Sequence, residues 1–146
     1  MTDLRELYQE TILDHYRKPR NSGRLADSNR MAEGFNPLCG DRVKLYLKLE
    51  DGVIRDVRFE GIGCAIATAS ASLMTESIKD KREDEALQLL EKIHGMVTGG
   101  TTAGNLGKLE VLAGVHEFPE RVKCATLAWH TLKAALENIE KPVTTE

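Results

Sequence analysis

The stretch from Val43 to Glu60 reads as two runs of alternation joined by Asp51-Gly52. In the first run Val43, Leu45, Leu47 and Leu49 share one face, with Lys44, Tyr46, Lys48 and Glu50 on the other. In the second, Val53, Arg55, Val57 and Phe59 alternate against Ile54, Asp56, Arg58 and Glu60. Asp-Gly between two such runs is a strong signal for a tight hairpin. A hairpin brings its outer ends together, so the residues just before Val43 and just after Glu60 become spatial neighbours. Those ends carry Cys39 and Asp41, within "FNPLCGDRVKL", and Cys64, which follows Gly61 and Gly63.

The flanking segments read as helices. Residues 3 to 17 place Leu4, Leu7, Tyr8, Thr11, Ile12 and His15 at three- and four-residue spacing, with Thr2 as N-cap and Pro19 as the stop. The Gly-, Asn- and Ser-rich "RNSGRLADSNRMAEGFNP" reads as a long connection with room for one short edge strand. After Cys64, Ile66, Ala69, Ser70, Leu73 and Ser77 suit a helix packed closely on a sheet, with the cysteine at its N-terminus. A third helix carries acidic residues in its first turn and sets Leu87, Leu90, Ile93, His94 and Val97 on one side. A flexible "TGGTTAGNLGK" and a short helical piece over Leu109 to Val115 lead to a last helix marked by Cys124, Leu127, Ala128, Thr131, Ala135 and Ile139, starting near Pro119 or just before Cys124. The predicted whole is one domain over residues 1–146 of α+β class. It has a small, mainly antiparallel three-stranded sheet and helices on one face.

Charge excludes some functions. The net charge is -3, with 20 basic and 23 acidic residues interspersed, which leaves no electrostatic footprint for nucleic acid. No apolar run approaches the roughly 18 residues that cross a bilayer, and "MTDLRELYQE" lacks the pattern of a signal peptide. A cytoplasmic location is expected, and there Cys39, Cys64 and Cys124 are better material for metal or redox work than for disulfides.

Zinc and iron bind thiolates and carboxylates in tetrahedral sets, so about four such groups must meet, usually from different elements. The hairpin supplies Cys39, Asp41 and Cys64; Gly40 lets the chain bend between the first two, and Pro37 stiffens the approach. Cys64 at a helix N-terminus has its thiolate favoured by the dipole and by free backbone donors. Cys124, beside Lys123 and three residues after Arg121, completes a candidate four-ligand set. Arg42, Arg121 and Lys123 are the cations available to offset its negative charge or to hold an extra anionic sulfur. Spacing alone leaves alternatives open. No two cysteines form a CxxC pair, free cysteine is often a small buried hydrophobe, and an Asp after Gly is common turn chemistry.

Other residues read more plainly. His130 lies six positions after Cys124, roughly 240° round a helix, and points away from the candidate metal. His15 and His94 read as core or boundary histidines, and His116 stays open. "TGGTTAG" lacks the ending of a phosphate-binding loop, "KDKREDE" reads as a solvated helix start, and Trp129 reads as core.

Three stretches carry a family resemblance. "NPLCGDRVKL", "GIGCAIATASASLMTESIKDK" and "RVKCATLAWHTLKAAL", together with "LYQETILDHYRKPRN", resemble in order the motifs of the IscU/SufU-type iron-sulfur cluster assembly proteins. The resemblance implies a NifU N-terminal-like domain with the α+β fold of SufE- and IscU-like proteins, and it implies that Cys39, Asp41, Cys64 and Cys124 meet at one exposed metal site. Lys123 stands where IscU-type scaffolds carry a histidine, and "GMVTGGTTAGNLGKLEVLAGVHEFPE" is similar to the SufU insertion, so the SufU branch is favoured. That branch implies Zn2+ as cofactor and a PLP-dependent, SufS-like cysteine desulfurase as sulfur donor, with downstream cluster-assembly proteins as further partners. Its implied catalytic residues are Cys39, the sulfur acceptor on a Gly- and Pro-flanked loop, and Arg121, which matches a SufU position linked to the site. Two alternatives stand beside this relay: a scaffold carrying a [2Fe-2S] cluster or iron, and a metal-free thiol enzyme pairing Cys124 with His116.

Overall fold

The computed structural model describes residues 10–37, 40–99, 106–139 and 141–144. Its order is α1 (Glu10–Arg17), β1 (Arg30–Asn36), β2 (Asp41–Glu50), β3 (Val53–Ile62), α2 (Ala65–Ile78), α3 (Glu83–Gly99), a 3-10 helix (Gly107–Glu117), α4 (Pro119–Leu136) and β4 (Val143–Thr144). Helices pack on one face of the sheet, as expected for the α+β class. The sheet, however, has four strands in the order β3-β2-β1-β4, not three. The first three are antiparallel, and β4 joins β1 in parallel through Gly34 and Phe35. Two residues are too few to show an alternation, which is why β4 is silent in the sequence. The short edge strand allowed in the long connection is β1, seven residues long and inside the sheet.

The hairpin forms where Asp51-Gly52 places it, with φ of 52° and 77° at those two residues, as a twist-matched two-residue turn requires. Its register shifts after Lys48: Lys48 pairs with Asp56 and Leu49 with Ile54, leaving Arg55 as an extra residue on β3. This bulge reverses the alternation, so Ile54 enters the core and Val53 and Arg55 do not. Tyr46, on the outer face, is nevertheless buried. Its hydroxyl donates to Glu60, which pairs across Lys44, and the Lys44 ammonium lies 5.8 Å from the Tyr46 ring.

The core lies between the sheet and the helices, with Leu45, Leu47, Ile54 and Val57 facing Ile66, Leu73, Trp129 and Leu132. Trp129 is core as expected; its Nε1 donates to Ser70 Oγ at 3.1 Å, and that hydroxyl donates to the Ala125 carbonyl at 2.6 Å. α4 starts with Pro119 at its first turn, and Arg30 Nη1 caps its far end by donating to the carbonyls of Ala135 and Leu136. Ile139 falls beyond that end and is exposed, contrary to the helical spacing. In the 3-10 helix, Leu109, Leu112 and Val115 are buried at a spacing of three, the period of that helix. No helix of the described residues is long and apolar enough to cross a membrane.

His15 is buried as expected. Its Nδ1 lies 2.7 Å from Ser72 Oγ, its Nε2 lies 3.5 Å from Glu76 Oε1, and burial is the main cause holding its pKa below the usual 6.5. A histidine with a lowered folded pKa favours the neutral form. Its contribution is therefore complete above pH 6.5 and declines as pH falls, levelling off once the folded pKa is passed. The thermal midpoint should drop between about pH 7.5 and about pH 5 more steeply in the parent than in His15→Gln. Parallel curves would remove His15 as the cause. His94, by contrast, is solvent-exposed on α3 and stands edge-on to His130, ring centroids 5.8 Å apart.

Candidate metal centre

Three of the predicted ligands converge. Asp41 opens β2, Cys64 caps α2 and Cys124 lies in the second turn of α4; their donor atoms all fall within 4.8 Å of one another. Among the described residues no other group of three or more His, Cys, Asp or Glu side chains comes together in this way. Cys39 lies outside the described residues.

The hairpin brings Asp41 to Cys64 as its geometry requires, since Arg42 pairs with Ile62 at the open end. Gly61 makes this possible at close quarters: a methyl there would lie 2.1 Å from the Arg42 carbonyl oxygen. Gly40 has φ of 73° with open space around it, so the bend between Cys39 and Asp41 needs glycine for its backbone conformation, not for room.

Asp41 is buried, and its Oδ1 accepts the backbone N–H of Cys64 at 3.0 Å while Oδ2 lies 3.8 Å from Cys64 Sγ. Cys64 Sγ in turn accepts the Ala67 N–H at 3.4 Å, doing for α2 what a serine does at other N-caps. A hydrogen bond from Cys124, offset by burial and reinforced by the Ala67 N–H, brings the Cys64 pKa down to about 6. The metal-free protein should therefore show Cys64 alkylation rising with a midpoint near pH 6. A midpoint in the ordinary thiol range would refute that assignment.

Cys124 is fully buried; its thiol lies 3.6 Å from the Glu120 carbonyl, and the Asn36 amide nitrogen lies 4.0 Å from its sulfur. Asn36 ends β1 directly opposite Asp41. Sequence reasoning missed it, although a polar residue ending a strand beside a suspected ligand was the available signal. Arg121 is half-buried, one turn before Cys124 on α4. His116 is exposed, with Nδ1 3.0 Å from the Ala113 carbonyl, and is not part of the cluster.

The donor chemistry fits a thiophilic divalent ion. Zn–S of about 2.3 Å and Zn–O of about 2.0 Å in a tetrahedron put a sulfur and an oxygen donor about 3.5 Å apart, within a few tenths of an ångström of the present 3.8 Å between Cys64 Sγ and Asp41 Oδ2. Asp41, Cys64 and Cys124 would hold such an ion, leaving a fourth position for another donor.

An α+β fold with two cysteines and an aspartate gathered at the open end of its hairpin defines a class of protein with a candidate thiolate–carboxylate metal site. The particular family follows from comparison: the chain belongs to the IscU/SufU-type iron-sulfur cluster assembly family, the model for the NifU-like N terminal domain matching residues 7–145. It is 44% identical to the iron-sulfur cluster assembly scaffold protein IscU of Thermotoga maritima, over 93% of this chain and 96% of that one. It is 43% identical to the zinc-dependent sulfurtransferase SufU of Bacillus subtilis, over 94% and 95% respectively. The crystal structure of FiSufU from Fervidobacterium islandicum superposes with a TM-score of 0.86 at 36% identity, over 92% of this chain and 99% of that one.

Proposed function

We propose that this chain is a SufU-branch, zinc-dependent sulfur acceptor that takes persulfide sulfur from a PLP-dependent cysteine desulfurase and passes it to cytoplasmic cluster-assembly partners. The observation that carries this reading is the donor set: two thiols and a carboxylate within 4.8 Å, with Lys123 in the position before Cys124. Bound Zn2+ would keep the sulfurs deprotonated and moderate their nucleophilicity. The chain supplies the rest. Asp41 fixes Cys64 through its backbone N–H and the Ala67 N–H holds the Cys64 sulfur; Arg121, one turn before Cys124, would balance an added anionic sulfur.

Cys39 is the proposed acceptor, because Pro37 and Gly40 flank it in a stretch whose composition reads as a loop, whereas Cys64 and Cys124 are anchored on helices. Its sulfur attacks the outer sulfur of the desulfurase persulfide. A sulfur–sulfur bond forms at Cys39, the one on the desulfurase breaks, and the proton released from Cys39 goes with the departing desulfurase thiolate. Cys39→Ser should therefore fail to acquire persulfide when mixed with the desulfurase and cysteine, as read by mass spectrometry. Acquisition at the parent rate would sink the assignment.

The relative named as a scaffold supports a second reading, in which the same donors hold iron or a [2Fe-2S] cluster as cargo. Metal content after mild purification separates the two: one colourless zinc per chain for the relay, a brown chromophore for the scaffold.

A further inference from the structure

We infer that Asn36 is a positioning residue of the metal centre, its side-chain amide donating to the Cys124 sulfur and fixing that sulfur as a permanent ligand. The inference rests on the metal-centre reading above and adds a role outside the ligand set.

Asn36 is completely buried, a rare placement for an amide, which carries two donors and one acceptor that must be satisfied. The strand register places it there: it ends β1 opposite Asp41, so one rung of the sheet presents the ligand carboxylate and the amide side by side. Nδ2 lies 4.0 Å from Cys124 Sγ, a long separation that a deprotonated, metal-bound sulfur would shorten, because charge-assisted hydrogen bonds are the shorter ones. Its backbone carbonyl accepts the Gly40 N–H at 2.8 Å, which closes the turn carrying Pro37 and ties the amide to the loop between β1 and β2.

The consequence concerns the division of labour among the sulfurs. Cys64 has the Ala67 N–H on its sulfur and Cys124 has the Asn36 amide. A hydrogen bond onto a thiolate stabilises its lone pair, making it a poorer nucleophile while orienting it toward the ion. Both helix-borne sulfurs are damped in this way, one by the backbone and one by a side chain that mutation can remove.

The test uses the full chain reloaded with Co2+, whose thiolate charge-transfer band reports the energy of the sulfur lone pair. Asn36→Leu keeps the shape and removes the donor; Asn36→Ala also removes it, is smaller, and serves if the leucine variant does not fold. Loss of the hydrogen bond raises the sulfur lone pair, so the band should move to longer wavelength, and zinc affinity in chelator competition should fall on the order of tenfold. A generally loosened fold would lower affinity without that directed spectral shift. Parent-like band and affinity in a folded variant would overturn the inference. A parent chain that takes up neither Co2+ nor Zn2+ would instead overturn the metal-centre reading on which it stands.

Discussion

Cys124→Ser is expected to lose stoichiometric zinc while keeping its fold. The sulfur is fully buried and shares a small space with Cys64 and Asp41. A serine hydroxyl stays protonated near neutral pH and is a far weaker ligand than a thiolate. Structural zinc is worth about 10–16 kcal/mol, shared over four donors, so removing one thiolate should lower affinity on the order of 10²–10³-fold. The folding cost should be small, since serine fills nearly the same volume and the Glu120 carbonyl already faces the site of the sulfur, 3.6 Å away. Chelator competition beside a thermal melt of the metal-free protein checks both halves. Parent-like zinc affinity would remove Cys124 from the ligand set.

The second large effect lies one strand away. Gly61→Ala would put a methyl 2.1 Å from the Arg42 carbonyl oxygen and 3.1 Å from the Val43 Cα, both backbone atoms of the paired strand. No rotamer change relieves such a contact, so β3 must separate from β2. Overpacking of this kind should cost about 3 kcal/mol, or roughly 10 °C in thermal midpoint for a domain of this size. The same displacement pulls Cys64 away from Asp41, so zinc affinity should fall together with stability. An alanine variant with an unchanged midpoint would show that the strands part freely there.

The site was more legible in the sequence than the sheet was. A two-residue turn dictates which residues oppose each other, and that alone joins Asp41 to Cys64. The helix opening at Cys64 followed from the small-residue pattern after it. Cys124 entered the candidate set by residue type and the cations beside it, and the resemblance agreed, but its position could not be derived, because nothing in local periodicity says which way a distant helix will dock. The faces of β3 were misread at its start for a related reason: the bulge at Arg55 depends on the pairing of two strands, whereas alternation is a property of one. β4 and the buried Asn36 are likewise products of tertiary docking. Helical spacing groups His94 with the apolar face, yet the helix is rotated so that Ile93 and Val97 enter the core and His94 meets solvent.

Sequence distance adds a constraint on timing during synthesis. Cys124 follows Cys64, the N-cap of α2, by 60 residues, so the hairpin donors are synthesised well before it. That last sulfur reaches them only after α4 has settled against β1 at Gly34, where a methyl would lie 2.1 Å from the Thr131 hydroxyl oxygen. A nascent or prematurely released fragment thus carries an incomplete grip. A grip by all three described donors therefore depends on a docked α4.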